Sequence, residues 1–197
     1  MAIEHEVAIK SDILFAEHDG VKLLGDLYRP KGMDKVPVLV APHGGGWQLG
    51  DRKFYRHWGN YLAKHGYAVF AIEYRLMKPG VKTWPGVVGD CKAAVQFVRA
   101  NASDLGVDPD RIGMIGDSAG AHLSALVALA GNEPPFVRQY PDDPNAAVPA
   151  DVHSGYRLLR RLRHAGAMGA RPDYPAARSD HRKTARVLTD GQPQAIL

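Results

Sequence analysis

The 197-residue sequence predicts an α/β fold on a mostly parallel sheet. Apolar runs at residues 36–41 and 67–72 lack any polar face, as strands covered by helices on both sides do. Segments of helical spacing alternate with such runs. Two glycine-rich turns follow strand-like runs directly: His43-Gly44-Gly45-Gly46-Trp47, and Gly116-Asp117-Ser118-Ala119-Gly120 after the run opening at Arg111-Ile112.

Residues 6–30 read as two strands joined at His18-Asp19-Gly20, since an Asp-Gly step between apolar runs signals a hairpin. After the strand over 36–41, residues 54–65 have helical spacing, with Trp58, Tyr61 and Leu62 as the apolar stripe and Gly66 as the stop. The strand over 67–72 ends at Glu73-Tyr74-Arg75. A helix is expected over 85–102, its apolar face marked by Val88, Cys91, Ala94, Val95 and Val98. Asp108-Pro109-Asp110 reads as a turn, residues 111–116 as a strand, and residues 119–130 as a helix. Beyond Gly131 the periodicity fails. Residues 132–149 are proline-rich and read as loop, and residues 151–197 are rich in Arg, Ala, Gly and Pro. Arg157 to Arg163 would make at most one short basic helix. The expected division is a core over 1–135 and a loop with a basic tail over 136–197.

The net charge of +4 is unevenly spread. Residues 1–150 carry 16 basic and 17 acidic side chains, and residues 151–197 carry nine and four. A basic arm can serve nucleic acid or membrane, but the tail's aromatic residues, Tyr156 and Tyr174, are too few for stacking platforms, so no nucleic-acid partner is expected. One cysteine, Cys91, excludes an internal disulfide and reads as an inert core thiol. The acidic N-terminus does not read as a secretory leader, and no apolar run approaches a membrane span, so a cytoplasmic protein with no membrane partner is expected.

Ser118 is the candidate catalytic residue. A serine hydroxyl needs a base to take its proton and donors for the oxyanion it creates. Glycines two before and two after Ser118 allow a sharp strand-to-helix bend with the serine at its apex. The bland alternative is a phosphate-binding turn. The triple glycine after the earlier strand tips the balance, because unshielded N–H groups there, with that of Ala119, would form an oxyanion hole. The Walker and dinucleotide-binding glycine patterns are both absent.

With these motifs, the chain resembles α/β-hydrolase carboxylesterases and lipases of the hormone-sensitive-lipase-like and feruloyl-esterase-like branch. The residues that carry the resemblance are His43-Gly44-Gly45-Gly46-Trp47, Glu73-Tyr74-Arg75-Leu76, Asp90, the run from Gly106 to Ile112, and Gly116-Asp117-Ser118-Ala119-Gly120-Ala121-His122-Leu123. The likeness covers about residues 10 to 135, and Ala121 departs from it where a second glycine is usual. It implies an α/β-hydrolase sandwich and an acyl-enzyme mechanism on a small-molecule ester, with no cofactor and no metal. It also implies Ser118 as nucleophile, Gly44, Gly45 and Ala119 as oxyanion donors, and Trp47 and Asp117 at the substrate pocket. Arg75 is expected to pair with Asp90. His18, His57 and His65 read as surface or capping residues, and His122 as a poor candidate for the base.

In such enzymes an acid and then a histidine follow the nucleophile. The tail offers Asp173 and His181 in that order without apolar strands to hold them. The sequence thus reads as an esterase lacking its C-terminal strands, through truncation or a frame shift, with Ser118's strand at a sheet edge, poor solubility and little activity. A peptidase or amidase on the same fold, and a non-catalytic remnant, are the alternative readings.

Overall fold

Hairpin chemistry at Asp19-Gly20 starts the fold. Both residues take left-handed backbone, φ 51° and 74°, the conformation that suits a two-residue turn to the right-handed twist of its strands. The hairpin is β1 (Val7–His18) and β2 (Val21–Pro30), paired antiparallel from Val7↔Pro30 to His18↔Val21. The computed structural model describes residues 4–137 and 140–152. The remaining strands are β3 (Val36–Pro42), β4 (Ala68–Ile72) and β5 (Val107–Met114). The helices are α1 (Arg56–Lys64), preceded by a 3₁₀ turn at Arg52–Tyr55, then α2 (Gly86–Ala100), α3 (Ala102–Leu105) and α4 (Ala119–Ala130).

The five strands run in the order β1-β2-β4-β3-β5. β4, β3 and β5 are mutually parallel, and β2 is antiparallel to both β1 and β4, so β2 alone runs against the rest. The mostly parallel sheet is therefore present, and β5 is its edge strand among the described residues.

Side-chain parity divides the core into two layers. Leu39, Ala41, Val69 and Ala71 join Tyr28, Tyr55 and Ala63 on the α1 side. The alternate residues, Val38, Val40 and Phe70, are equally buried, and Phe70 stacks 6.0 Å from Phe97 of α2 on the other side. β3 and β4 are buried on both faces, which explains why their sequences show no polar alternation.

Three expectations change. Asp108-Pro109-Asp110 lies inside β5, where the step from Val36 to Val38 on β3 is matched by the step from Val107 to Ile112. The turn-like residues bulge out of a continuing strand. On α1, Gly59 and Ala63 face the sheet, while Trp58 and Tyr61 of the apolar stripe are exposed. A Cβ on Gly59 would collide with the Tyr28 ring, so the helix sits too close to the sheet for large residues on that face. Residues 136–137 and 140–151, expected to lie outside the core, are docked on α2. Lys92 Nζ donates to the carbonyls of Gly131 (2.8 Å), Val137 (3.0 Å) and Phe136 (3.4 Å). Gln96 Nε2 donates to those of Ala146 (3.1 Å) and Val148 (2.8 Å), and Arg99 bonds the carbonyls of Pro149 and Asp151. Phe136 and Ala150 are buried as a result. The expected short basic helix from Arg157 lies outside the described residues.

Candidate active site

The site forms at the carboxyl ends of β3 and β5, strands adjacent in the sheet but separated in sequence by α1, β4, α2 and α3. The register Val40↔Met114 aligns their ends, and Ile115 N–H donates to the Val40 carbonyl at 3.0 Å. The glycine loop leaving β3 thus lies beside the serine turn leaving β5, at the edge where parallel sheets bind ligands.

Ser118 occupies the apex, with φ 48° and ψ −116°, backbone that side-chain-bearing residues rarely adopt. The side chain is exposed there. The turn is held by close backbone approach: a Cβ on Gly116 would strike Gly120, and one on Gly120 would strike the Pro42 carbonyl. This is the physical content of the glycine spacing. Ala119 opens α4, so its N–H has no acceptor within the helix.

The loop from His43 to Gly50 is braced from below. Tyr74 O–H donates to the His43 carbonyl at 2.7 Å, and the His43 ring stacks on Tyr74 at 4.4 Å. His43 Nδ1 donates to the Gly44 carbonyl at 2.7 Å. The N–H groups of Gln48 and Leu49 both donate to the Gly45 carbonyl, at 3.1 and 3.0 Å. Gly45 has φ 117°, Gly46 φ 59° and Trp47 φ 62°. A side chain on Gly45 would collide with the Leu49 carbonyl.

Two expected site residues turn to each other instead. Gly44 N–H donates to Asp117 Oδ1 at 3.0 Å, and Tyr55 O–H approaches the same oxygen at 3.4 Å. The Gly44 amide is therefore engaged and not open to an oxyanion. Asp117, expected at the substrate pocket, instead ties the serine turn to the glycine loop. Burial, reinforced by the Asp117 charge, pushes the Tyr55 phenol well above its ordinary range, so it stays a neutral donor. The N–H groups of Gly45 and Gly46 make no hydrogen bond among the described residues.

No base meets Ser118 among the described residues. The backbone N–H of His122, one turn into α4, donates to the Ser118 carbonyl at 3.1 Å, but its ring makes no hydrogen bond to the Ser118 hydroxyl. Its ring stands edge-on to Trp47 at 5.4 Å, its Nδ1 is buried without a partner, and burial lowers its pKa. Asp173 and His181 lie outside the described residues.

Away from the site, Arg75 pairs with Asp90 as expected, through Nε and a terminal nitrogen at 2.9 Å each. His18, expected near the surface, is buried. Its Nδ1 lies 2.8 Å from Asp90 and its Nε2 3.2 Å from Asp143, with the ring stacked on Tyr140 at 3.6 Å. Its partners come from far along the chain, so no local pattern could mark it. His65 does cap, reaching the Tyr61 carbonyl at 2.7 Å, and His57 is exposed. Cys91 is fully buried, and burial raises its thiol pKa, as befits an inert core residue.

Sheet order, serine turn and glycine loop together define the α/β-hydrolase fold, which solved structures of esterases share. The chain superposes on the esterase Est2 of Thermogutta terrifontis with a TM-score of 0.62 at 30% identity, covering 76% of this chain and 50% of that one. It matches a bacterial heroin esterase with a TM-score of 0.55 at 35% identity, over 60% and 38% of the two chains. The BD-FAE family model matches residues 25–151, and the chain belongs to that family. Among curated proteins it is 36% identical over 140 residues to the probable carboxylic ester hydrolase LipM of Mycobacterium tuberculosis, covering 69% of this chain and 32% of LipM. It is 38% identical over 114 residues to the carboxylesterase NlhH of the same organism, covering 56% and 35%. The chain thus spans about a third of these curated relatives and half or less of these solved structures. Among the described residues no helix is long and apolar enough to cross a membrane.

Proposed function

We propose that the chain carries the nucleophile and oxyanion hole of a serine hydrolase acting on small carboxylic esters. Ser118 Oγ attacks the ester carbonyl carbon, and the carbonyl π electrons move to oxygen. That oxyanion rests on the N–H groups of Gly45, Gly46 and Ala119, Gly46 replacing the engaged Gly44. Collapse expels the alcohol and leaves an acyl-serine, which water cleaves. One oxyanion donor contributes roughly 3 kcal/mol to the transition state. The base that takes the serine proton comes from outside the described residues, and Trp47 borders the acyl or alcohol group.

The observation that carries the reading is the backbone of Ser118, strained at the apex of a turn whose side chain is exposed beside two unengaged glycine amides. That relatives are named carboxylic ester hydrolases supports an ester rather than an amide as the substrate. Mass spectrometry of the whole chain after prolonged exposure to a fluorophosphonate tests it. An adduct on Ser118 that forms ahead of other serines is expected, and none at that position in Ser118→Ala. No adduct, or adducts spread evenly over many serines, would refute it. Hydrolysis of p-nitrophenyl acetate alongside tells whether residues 153–197 supply the base: Ser118-dependent turnover says they do, and labelling with negligible turnover says they do not.

A further inference from the structure

The end of the hairpin, α2 and the segment over residues 140–151 meet at one buried ring. His18, the last residue of β1, places Nδ1 2.8 Å from Asp90 Oδ1 and Nε2 3.2 Å from Asp143 Oδ2. The three side chains are 2%, 0% and 5% exposed, so water does not stand in for a missing partner. Tyr140 lies flat on the ring from the same segment as Asp143.

Counting donors fixes the roles of the two ring nitrogens. Asp90 Oδ2 accepts from the Arg75 backbone N–H at 3.1 Å and from Arg75 Nε at 2.9 Å, and Oδ1 accepts from a terminal Arg75 nitrogen at 2.9 Å. A carboxylate that receives three donors acts as an acceptor, so His18 Nδ1 turns its proton to Asp90. Nε2 is then a bare lone pair unless the ring takes a second proton. It faces Asp143, whose other oxygen accepts the Asn145 N–H at 2.8 Å. Two bare acceptors at 3.2 Å repel, whereas one proton between them makes a charge-assisted hydrogen bond. The remaining charges around the ring are committed elsewhere: Arg75 to Asp90, Asp19 and the Tyr140 hydroxyl, and Lys92 to the carbonyls of Gly131, Phe136 and Val137.

We propose that a single proton between His18 Nε2 and Asp143 Oδ2 is a latch that holds residues 140–145 against α2 and releases them as pH rises. The latched state binds one proton more than the released state, so acid favours latching and base favours release. His18 and Asp143 share that proton and titrate as a pair. The release is local, because Gln96 and Arg99 hold the carbonyls of Ala146, Val148, Pro149 and Asp151 without any titrating partner at the ring. It would open a cavity of about 310 Å³ that Lys92, Ala93 and Gln96 of α2 line opposite Tyr140 and Asp143. The latch is independent of the esterase reading.

Hydrogen exchange of the whole chain, resolved by residue and corrected for the intrinsic pH dependence of exchange, tests it from mildly acid to mildly alkaline pH. The reporters are the amides of Asp143, Asn145 and Ala146, which bond within the segment at 3.2, 2.8 and 2.9 Å. Their protection should fall roughly tenfold or more as pH rises, in step with loss of the Nε2 proton in the ¹⁵N spectrum of the His18 ring, while the Gly131 amide at the end of α4 stays protected. Asp143→Asn is nearly isosteric, and its amide donates to a bare Nε2 without any added proton. It should keep the three amides protected at alkaline pH and abolish the transition. Lys92→Met should leave the transition in place. Protection independent of pH, a transition unchanged in Asp143→Asn, one abolished in Lys92→Met, or a His18 Nε2 that stays unprotonated while the segment is protected would each overturn the proposal.

Discussion

The serine turn with its glycine loop and the segments over residues 132–137 and 140–151 are irregular chain laid against the same sheet and helix layers, yet they are held by different means. The first is positioned largely by backbone. Gly120 closes on the Pro42 carbonyl, Ile115 bonds to Val40, and paired strand ends set the separation of Ser118 from Gly45. The second is positioned by long side chains: Lys92, Gln96 and Arg99 of α2 bond its carbonyls, the buried His18 meets Asp143, and the half-buried Arg75 meets Tyr140. Backbone packing leaves a short local motif, because only glycine fits where two chains nearly touch. Side-chain tethering leaves none, because a lysine that caps three carbonyls reads like any lysine.

The largest expected effect tests the tethered region. Asp90 is fully buried, and its two oxygens serve Arg75 and His18. Asp90→Ala removes the buried partner that Arg75 and His18 share, leaving them Asp19 and Asp143, and urea denaturation should show a loss of about 3 kcal/mol. Limited proteolysis should then cut first within 132–151. Gly120→Val tests the backbone-held region. Its side chain would meet the Pro42 carbonyl and cost roughly 1–3 kcal/mol, with labelling of Ser118 lost while cleavage within 132–151 stays at the native rate. Equal damage to both regions would erase the distinction.

Lys92→Met is smaller. It removes the donor from three carbonyls but also relieves a buried ammonium, whose pKa burial already lowers. A loss of about 1–2 kcal/mol is expected, with faster proteolysis within 132–151 and unchanged labelling of Ser118. The smallest effect is a pH dependence at the serine turn. Burial holds His122 below its ordinary 6.5, so the unfolded chain takes up the proton first as pH falls through that value. Stability should be full above that window and decline below it, with the slope ending once the folded state also titrates. The urea midpoint of His122→Phe, followed from neutral to mildly acid pH, should be flatter than that of the native chain.

Much of the fold was legible from local chemistry. The Asp19-Gly20 hairpin, the doubly buried β3 and β4, the apolar face of α2 and the extent of α4 follow from turn residues and periodicity. The α1 stripe was misleading because packing distance, not hydrophobicity, chose its inner face: Gly59 lets α1 press on Tyr28, and Trp58 and Tyr61 are left outside. The extent of β5 was misread because Asp108-Pro109-Asp110 has turn composition, while its flanks pair with β3.

The sequence by itself determined the class of fold and the two glycine turns, because strand period, Asp-Gly turns and close backbone approach each demand particular residues within a few positions of one another. Only the tertiary structure decided which amides stay open. Gly44, Gly45 and Gly46 are equivalent as letters, and Asp117, 73 residues on, separates them by taking the amide of the first. The same holds for His18, whose partners on α2 and beyond β5 are brought together by the crossing of the chain. A hydrogen bond acts over about 3 Å of space and is indifferent to distance along the sequence.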